Sequence, residues 1–300
     1  MIHVRGLSKV YRRGDPPAVD TLDMDMHDSE IVGFVGLNGA GKTTAIRSIV
    51  GVTLPTSGSV SIDGHDIVKE KAAASINVGW VPETPVYSHD ASALSLLKYF
   101  AGFFGISSEI AERRAMELLE RLSLNKQADR KVMNYSQGMK KRFAIAAAMI
   151  HDPKNYLFDE TLNGIDAEGV ELFRTIIRDL RKDGKAVLLS SHILSEIEDS
   201  ADRVIIIDHG KKIDSISMET LRNKATTRVE LTVSNIDGNL STALQKYGEV
   251  EIKGSTVLVR GSDIQPSAIN DDLVKLGYKV NAIHSETLEN YFLNLVRDRK

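Results

Sequence analysis

Three hundred residues, 42% of them hydrophobic, suffice to bury a sizeable core and to make two domains. A formal net charge of −3 and a pI of about 6.3 leave no basic surplus for a nucleic-acid or anionic-membrane surface, so no nucleic-acid partner is expected. The chain has no cysteine, which excludes disulfides and thiolate metal sites and fits a reducing compartment.

The opening MIHVRGL and the alternating VDTLDMDM read as strands, and the N-terminus lacks the apolar core of a signal peptide. No apolar run reaches the ~20 residues that span a bilayer, so the chain is expected to be soluble by itself. The continuous apolar run IVGFVG reads as a buried strand feeding GLNGAGKTT. Gly36, four residues, then Gly41-Lys42-Thr43 fits the pattern GxxxxGK[ST], with a helical run from Thr44 to Val50 behind it. Glycines such as Gly36, Gly39 and Gly41 let backbone N–H groups turn toward an anion, and the helix adds the positive end of its dipole. Lys42 is expected to reach the β- and γ-phosphates, and the Thr43 hydroxyl to be a ligand of the accompanying Mg2+. Asn38 and Thr44 belong to the same nucleotide-binding set.

Short strands SVSIDG and NVGWVP follow. From Ser92 to Ile150 the pattern is helical, with Ala111, Ala115, Leu118, Leu119 and Leu122 on one face, which suggests an inserted helical subdomain over about 86–152. Within it Lys140-Lys141-Arg142 reads as a solvated helix face. The strand NYLFD then ends in two carboxylates, Asp159 placed to hold magnesium through water and Glu160 to take a proton from an attacking water. A helix from near Asp166 carries Val170, Phe173, Ile177 and Leu180 on one side, before strands KAVLLSS and RVIIID. Strands alternating with helices argue for an α/β fold with a mostly parallel sheet covered on both faces.

A second unit is expected over residues 223–300, after a first over 1–222. From Arg228 the pattern reads strand, helix, strand, strand, helix, strand, which is the split β-α-β-β-α-β order of a ferredoxin-like α+β domain. A last helix, capped by Ser285, places Leu288, Tyr291, Phe292 and Leu295 on one face, read as packing on its own domain.

The stretch NYSQGMKKRFAIAAAMI decides the family. Ser136, Gly138 and a helix start offer a hydroxyl, N–H groups and a dipole to an anion, and one chain has no evident need of two such sites. The segment order resembles the ATP-binding cassette (ABC) ATPases, whose core is a P-loop NTPase. The resemblance implies that Tyr11 stacks on adenine and that Glu83 occupies a position usually held by glutamine beside the magnesium. It implies that Ser136 to Met139 form the signature contacting ATP on a second copy, Asn163 to Asp166 the loop crossing the dimer, and His192 a γ-phosphate contact. Three segments depart from the usual pattern: Tyr135-Ser136-Gln137-Gly138-Met139 stands for Leu-Ser-Gly-Gly-Gln with the serine and second glycine kept, Thr161 replaces proline, and Glu83 brings a carboxylate near triphosphate.

AVDTLDMDM, VGWVPETPVY, YSQGMKKR and SSHILSEIEDSADRVIII look most like ATPase subunits of drug, antibiotic and sodium efflux exporters, where a glutamate at the Glu83 position and a Tyr-Ser-x-Gly-Met signature are familiar. The resemblance implies an ATPase that closes as a homodimer around two Mg-ATP and drives a separate membrane-spanning subunit. It implies a cytoplasmic chain, peripheral on the inner face of the cell membrane. Two alternatives stay open at this point: a soluble ABC ATPase outside transport, and a nucleotide sensor with little turnover.

Overall fold

The computed structural model describes residues 1–87, 90–225, 228–261, 264–285 and 288–297. The chain divides into two units, Met1–Ser215 and Ile216–Lys300. The boundary expected after residue 222 would cut the helix Met218–Ala225, whose Leu221 is fully buried.

Two kinds of sheet make the first unit. Strands β1 (Ile2–Lys9) and β2 (Val19–Met26) alternate buried and accessible residues, as in the sequence VDTLDMDM. Strand β3 (Ile31–Val35) is buried at every position, and helix α1 (Lys42–Ile49) follows it. Strands β4 (Ser57–Ile62) and β5 (His65–Asp66) precede the short helix α2 (Lys71–Ile76) and strand β6 (Val78–Val81). The half-polar strands β2, β1, β4 and β5 pair in that order as an antiparallel sheet, which one-sided burial permits. They do not join the parallel sheet. Strand alternation with helices, read along the chain, did not distinguish the two.

Helices α3 (Ala93–Phe103), α4 (Ser108–Arg121) and α5 (Gln137–Met149) form the expected helical insertion between β6 and strand β7 (Asn155–Phe158). Ala111, Ala115, Leu119 and Leu122 are its buried face on α4 and just beyond. Ser136 caps α5 by accepting the Met139 N–H at 3.2 Å. Helix α6 (Ala167–Lys182), strands β8 (Ala186–Ser191) and β9 (Arg203–Asp208), and β10 (Lys211–Ser217) complete the run. On α6, Phe173, Ile176, Ile177 and Leu180 are buried, while Val170 is only half-buried.

The six-stranded sheet has the order β10-β9-β3-β8-β7-β6, with β6, β7, β8, β3 and β9 parallel. Every residue of β3, β7 and β8 is buried, as a sheet covered on both faces requires. Parallel pairing aligns the carboxyl ends of these strands. Val35 lies opposite Ser191, and Phe158 opposite Leu189, so Gly36, Asp159, Glu160 and His192 leave the sheet side by side. This is the end of an open α/β sheet where ligands bind.

The second unit begins with α7 (Met218–Ala225) and continues through β11 (Arg228–Val233), α8 (Gly238–Leu244), β12 (Glu249–Lys253), β13 (Thr256–Arg260), α9 (Pro266–Lys275), β14 (Val280–Ser285) and α10 (Leu288–Arg297). Its sheet, β12-β13-β11-β14, is antiparallel throughout. The split β-α-β-β-α-β connection folds around an apolar core that includes Val229, Leu231, Val257, Val259, Ile269 and Leu273. On α10 Phe292 is fully buried and Leu288 and Leu295 half-buried. Ser285 ends β14; its capping role and the side chain of Tyr291 lie outside the described residues. Among the described residues, no helix is long and apolar enough to cross a membrane.

Candidate functional site

The loop between β3 and α1 is fixed by close backbone approaches. A Cβ on Gly36 would lie 2.4 Å from the Ile207 carbonyl oxygen, and one on Gly41 2.4 Å from that of Ala18. Gly41 also has φ +103°, which side chains rarely adopt. These contacts admit only glycine and hold the loop across the head of α1. Gly39, Asn38, Gly41, Lys42, Thr43 and Thr44 line a cavity of about 470 Å³ together with Glu83, Glu160, Asn163 and His192.

Inside that cavity charges are taken out of water. Lys42 is 4% exposed, and its Nζ donates to the carbonyls of Gly36 at 2.7 Å and Leu37 at 3.3 Å. The same Nζ is 3.1 Å from Glu160 Oε1. Glu160 Oε2 accepts from Asn163 Nδ2 at 2.7 Å, and His192 Nδ1 lies 3.3 Å from it. Removing one partner from a buried pair of this kind costs about 3–5 kcal/mol, because the other charge is left uncompensated. The backbone of Glu160 is strained as well. Its φ of +43° lies in the left-handed region, at a cost of about 1–3 kcal/mol, and its N–H is held by Ser190 Oγ at 2.9 Å.

Asp159 is the neighbour with the opposite problem. Burial raises its carboxyl above the usual range, and hydrogen bonds from Ser190 Oγ at 2.7 Å and Thr43 Oγ1 at 3.3 Å work against that. Both bonds go to Oδ1. Oδ2 is buried and has no hydrogen-bond partner among the described residues. A buried oxygen left open beside the Thr43 hydroxyl fits a water or a hard cation. No group of three metal-ligating side chains exists among the described residues. That suits an ion whose other ligands are phosphate oxygens and water, as Mg2+ prefers.

The remaining expected residues fall into two sets. Tyr11 is 55% exposed with its hydroxyl 3.3 Å from Thr44 Oγ1, so its ring stands at the edge of the loop, within reach of a base. Glu83 is exposed and lines the same cavity. Ser136, Gly138 and Asp166 do not line it. Asp166 caps α6 by accepting the Gly169 N–H at 2.9 Å. Ser136 and Gly138 stand at the accessible start of α5, where a Cβ on Gly138 would meet nothing within 4 Å.

The profile of the family described as "ABC transporter" matches residues 19–163. The bacitracin transport ATP-binding protein of Bacillus licheniformis is 33% identical over 99% of this chain and 97% of its own length. The Nod factor export ATP-binding protein I of Ralstonia nicotianae is 32% identical over 89% of this chain and 83% of its own. The solved ATP-binding subunit of an ABC transporter superposes with a TM-score of 0.69 at 27% identity, covering 74% of this chain and 92% of that one. The chain belongs to the ABC transporter ATP-binding subunits. As such a cassette it binds and hydrolyses ATP and works with a membrane-spanning subunit supplied by a separate chain.

Two residues of this cassette's site carried no separate signal in the sequence. Ser190 is an ordinary small residue in a strand, and its link to Asp159 and Glu160 exists only because β7 and β8 are neighbours. Asn163 was expected only in the loop that crosses the dimer, yet it lines the cavity and holds Glu160. The run Lys140-Lys141-Arg142 corrects the sequence reading. It is half-buried rather than a solvated face, and Lys141 donates to backbone carbonyls of the turn after β7.

Proposed function

We propose that this cassette powers an exporter, with Glu160 as the general base of ATP hydrolysis, and that two copies close head to tail around two ATP molecules. The observation that carries the reading is the buried pair at the phosphate loop: one ammonium and one carboxylate 3.1 Å apart at the end of a parallel sheet. A nucleotide binding to the loop brings phosphate oxygens that replace the carboxylate as the partner of Lys42. Glu160 then keeps its contacts to Asn163 and His192 and is free to orient a water at the γ-phosphate and take its proton. Lys42 and His192 stay beside the charge that grows on the phosphoryl oxygens.

Mg2+ fits the same site. Thr43 and, through water, Asp159 would hold it, with Glu83 as a further acidic neighbour, and the ion would neutralise charge on the phosphates. The accessible start of α5 supports the second copy. Ser136 and the bare backbone at Gly138 are presented at a helix N-terminus away from this chain's own cavity, where a phosphate of ATP bound to the other copy completes the site. Tyr11 is assigned to the adenine ring and Asp166 to the loop that meets the partner copy.

The export direction is supported by the Nod factor export relative and by the exporter-like phrases around Glu83 and Ser136. The chain acts in the cytoplasm, peripheral at the inner face of the cell membrane. Replacing Glu160 by Gln is expected to lower phosphate release by about 100-fold or more, the contribution of a positioned general base, and to accumulate an ATP-dependent dimer visible by light scattering. Wild-type hydrolysis by that variant would remove Glu160 from its role.

A further inference from the structure

Lys141 lies on α5, just over one turn after the Ser136 cap. Its Nζ donates to the carbonyls of Glu160 and Thr161, each at 3.2 Å, and to that of Asn163. An ammonium has three N–H bonds, and here each one has a carbonyl to meet. All three carbonyls belong to the turn that carries the proposed base and the amide that holds it, since Asn163 Nδ2 donates to Glu160 Oε2.

That turn needs holding from outside. Glu160 has φ +43°, and a strained backbone persists only where its surroundings over-determine it. Ser190 holds it from the N–H side, and Lys141 from the carbonyl side. Burial works against the charge on Lys141, while the carboxylates of Glu83, Glu160 and Glu196 favour it. A solvated helix-face lysine would give up none of its hydration. This one exchanges part of it for fixed contacts.

We infer that Lys141 is a positioning residue for ATP hydrolysis: by fastening the 160–163 turn to α5 it sets the Glu160 carboxylate where the attacking water must lie. The inference rests on the reading of Glu160 as the base.

The test compares Lys141→Met, which keeps the aliphatic stem and drops the donors, with Lys141→Gln, whose amide restores two of them. Steady-state phosphate release at saturating ATP gives kcat, and calorimetry gives ATP affinity. Lys141→Met is expected to lower kcat about tenfold with affinity within twofold of wild type, and Lys141→Gln to recover part of the loss. In a Glu160→Gln background the Met substitution should cost no further residual rate, because the group it positions is already gone. Affinity falling in step with kcat, or a full additional loss in the Glu160→Gln background, would overturn the positioning role. If Lys141→Met does not fold, Lys141→Ala replaces it as the variant without donors: a lowered kcat at kept affinity supports the inference and a wild-type kcat overturns it. Wild-type hydrolysis by Glu160→Gln removes the base itself and this inference with it. An inactive Glu160→Gln beside a fully active Lys141→Met removes only Lys141.

Discussion

The two units bury different chemistry. In Met1–Ser215 the buried residues include Lys42, Asp159 and Glu160, which follow β3 and β7, the two strands on either side of β8. In Ile216–Lys300, among the described residues, every buried residue is apolar, and ion pairs such as Lys246 with Asp272 are kept at accessible positions. Burying charge is expensive, and packing needs none of it. The first unit therefore holds charges that only a ligand and a reaction make sense of, while the second is built as an ordinary apolar core.

Substitutions sharpen that contrast by what they change. Lys42→Ala should have the largest effect on function, because it removes the charge proposed to meet the phosphates; a loss of charge-assisted bonds worth about 1.5–3 kcal/mol corresponds to roughly 10- to 150-fold weaker nucleotide binding. Calorimetry with ATP checks it, and an unchanged affinity would break the assignment of the loop. Leu231→Ala should do the reverse. It empties a fully buried position in the second core, costing about 2–5 kcal/mol in urea unfolding, and should leave ATP affinity within twofold. A parallel loss of ATP affinity would contradict the division of labour.

Asp159→Asn should give the smallest effect on stability, and one of unusual sign. Burial raises the folded-state pKa of Asp159 above its unfolded value. The folded protein then binds the proton more tightly, so this group's contribution to stability falls as pH rises from the ordinary carboxylate range through the raised folded value. The amide variant buries no charge. It is expected to be somewhat more stable than wild type near neutral pH without nucleotide, with the gap closing toward acid, while phosphate release is lost. Urea unfolding of both proteins across that pH range measures the gap. A gap that widened toward acid would mean that the carboxylate is held ionised by its hydrogen bonds.

Much of the site was legible because its residues are consecutive. The spacing from Gly36 to Thr43 sets a loop between a buried strand and a helix, and the positive φ of Gly41 with its approach to Ala18 shows why glycine stands there. The pair Asp159-Glu160 was legible from its place after an apolar strand. The antiparallel sheet was not, since the strands β1, β2, β4 and β5 are separated along the chain by β3 and α1, and only pairing decides which sheet each joins.

The sequence by itself determined the family, most of the order of strands and helices, and the spacing of the phosphate-loop pattern. These depend on short-range spacing, on one-residue steric limits and on the period of apolar positions. Tertiary structure alone decided that Ser190 holds Asp159 and Glu160, that Asn163 holds the Glu160 carboxylate, and that Lys141 leaves solvent to clasp the turn 19 to 22 residues away in sequence. Each of those contacts joins neighbours in space that periodicity cannot relate, because it reports which face of an element is buried and not what lies opposite it.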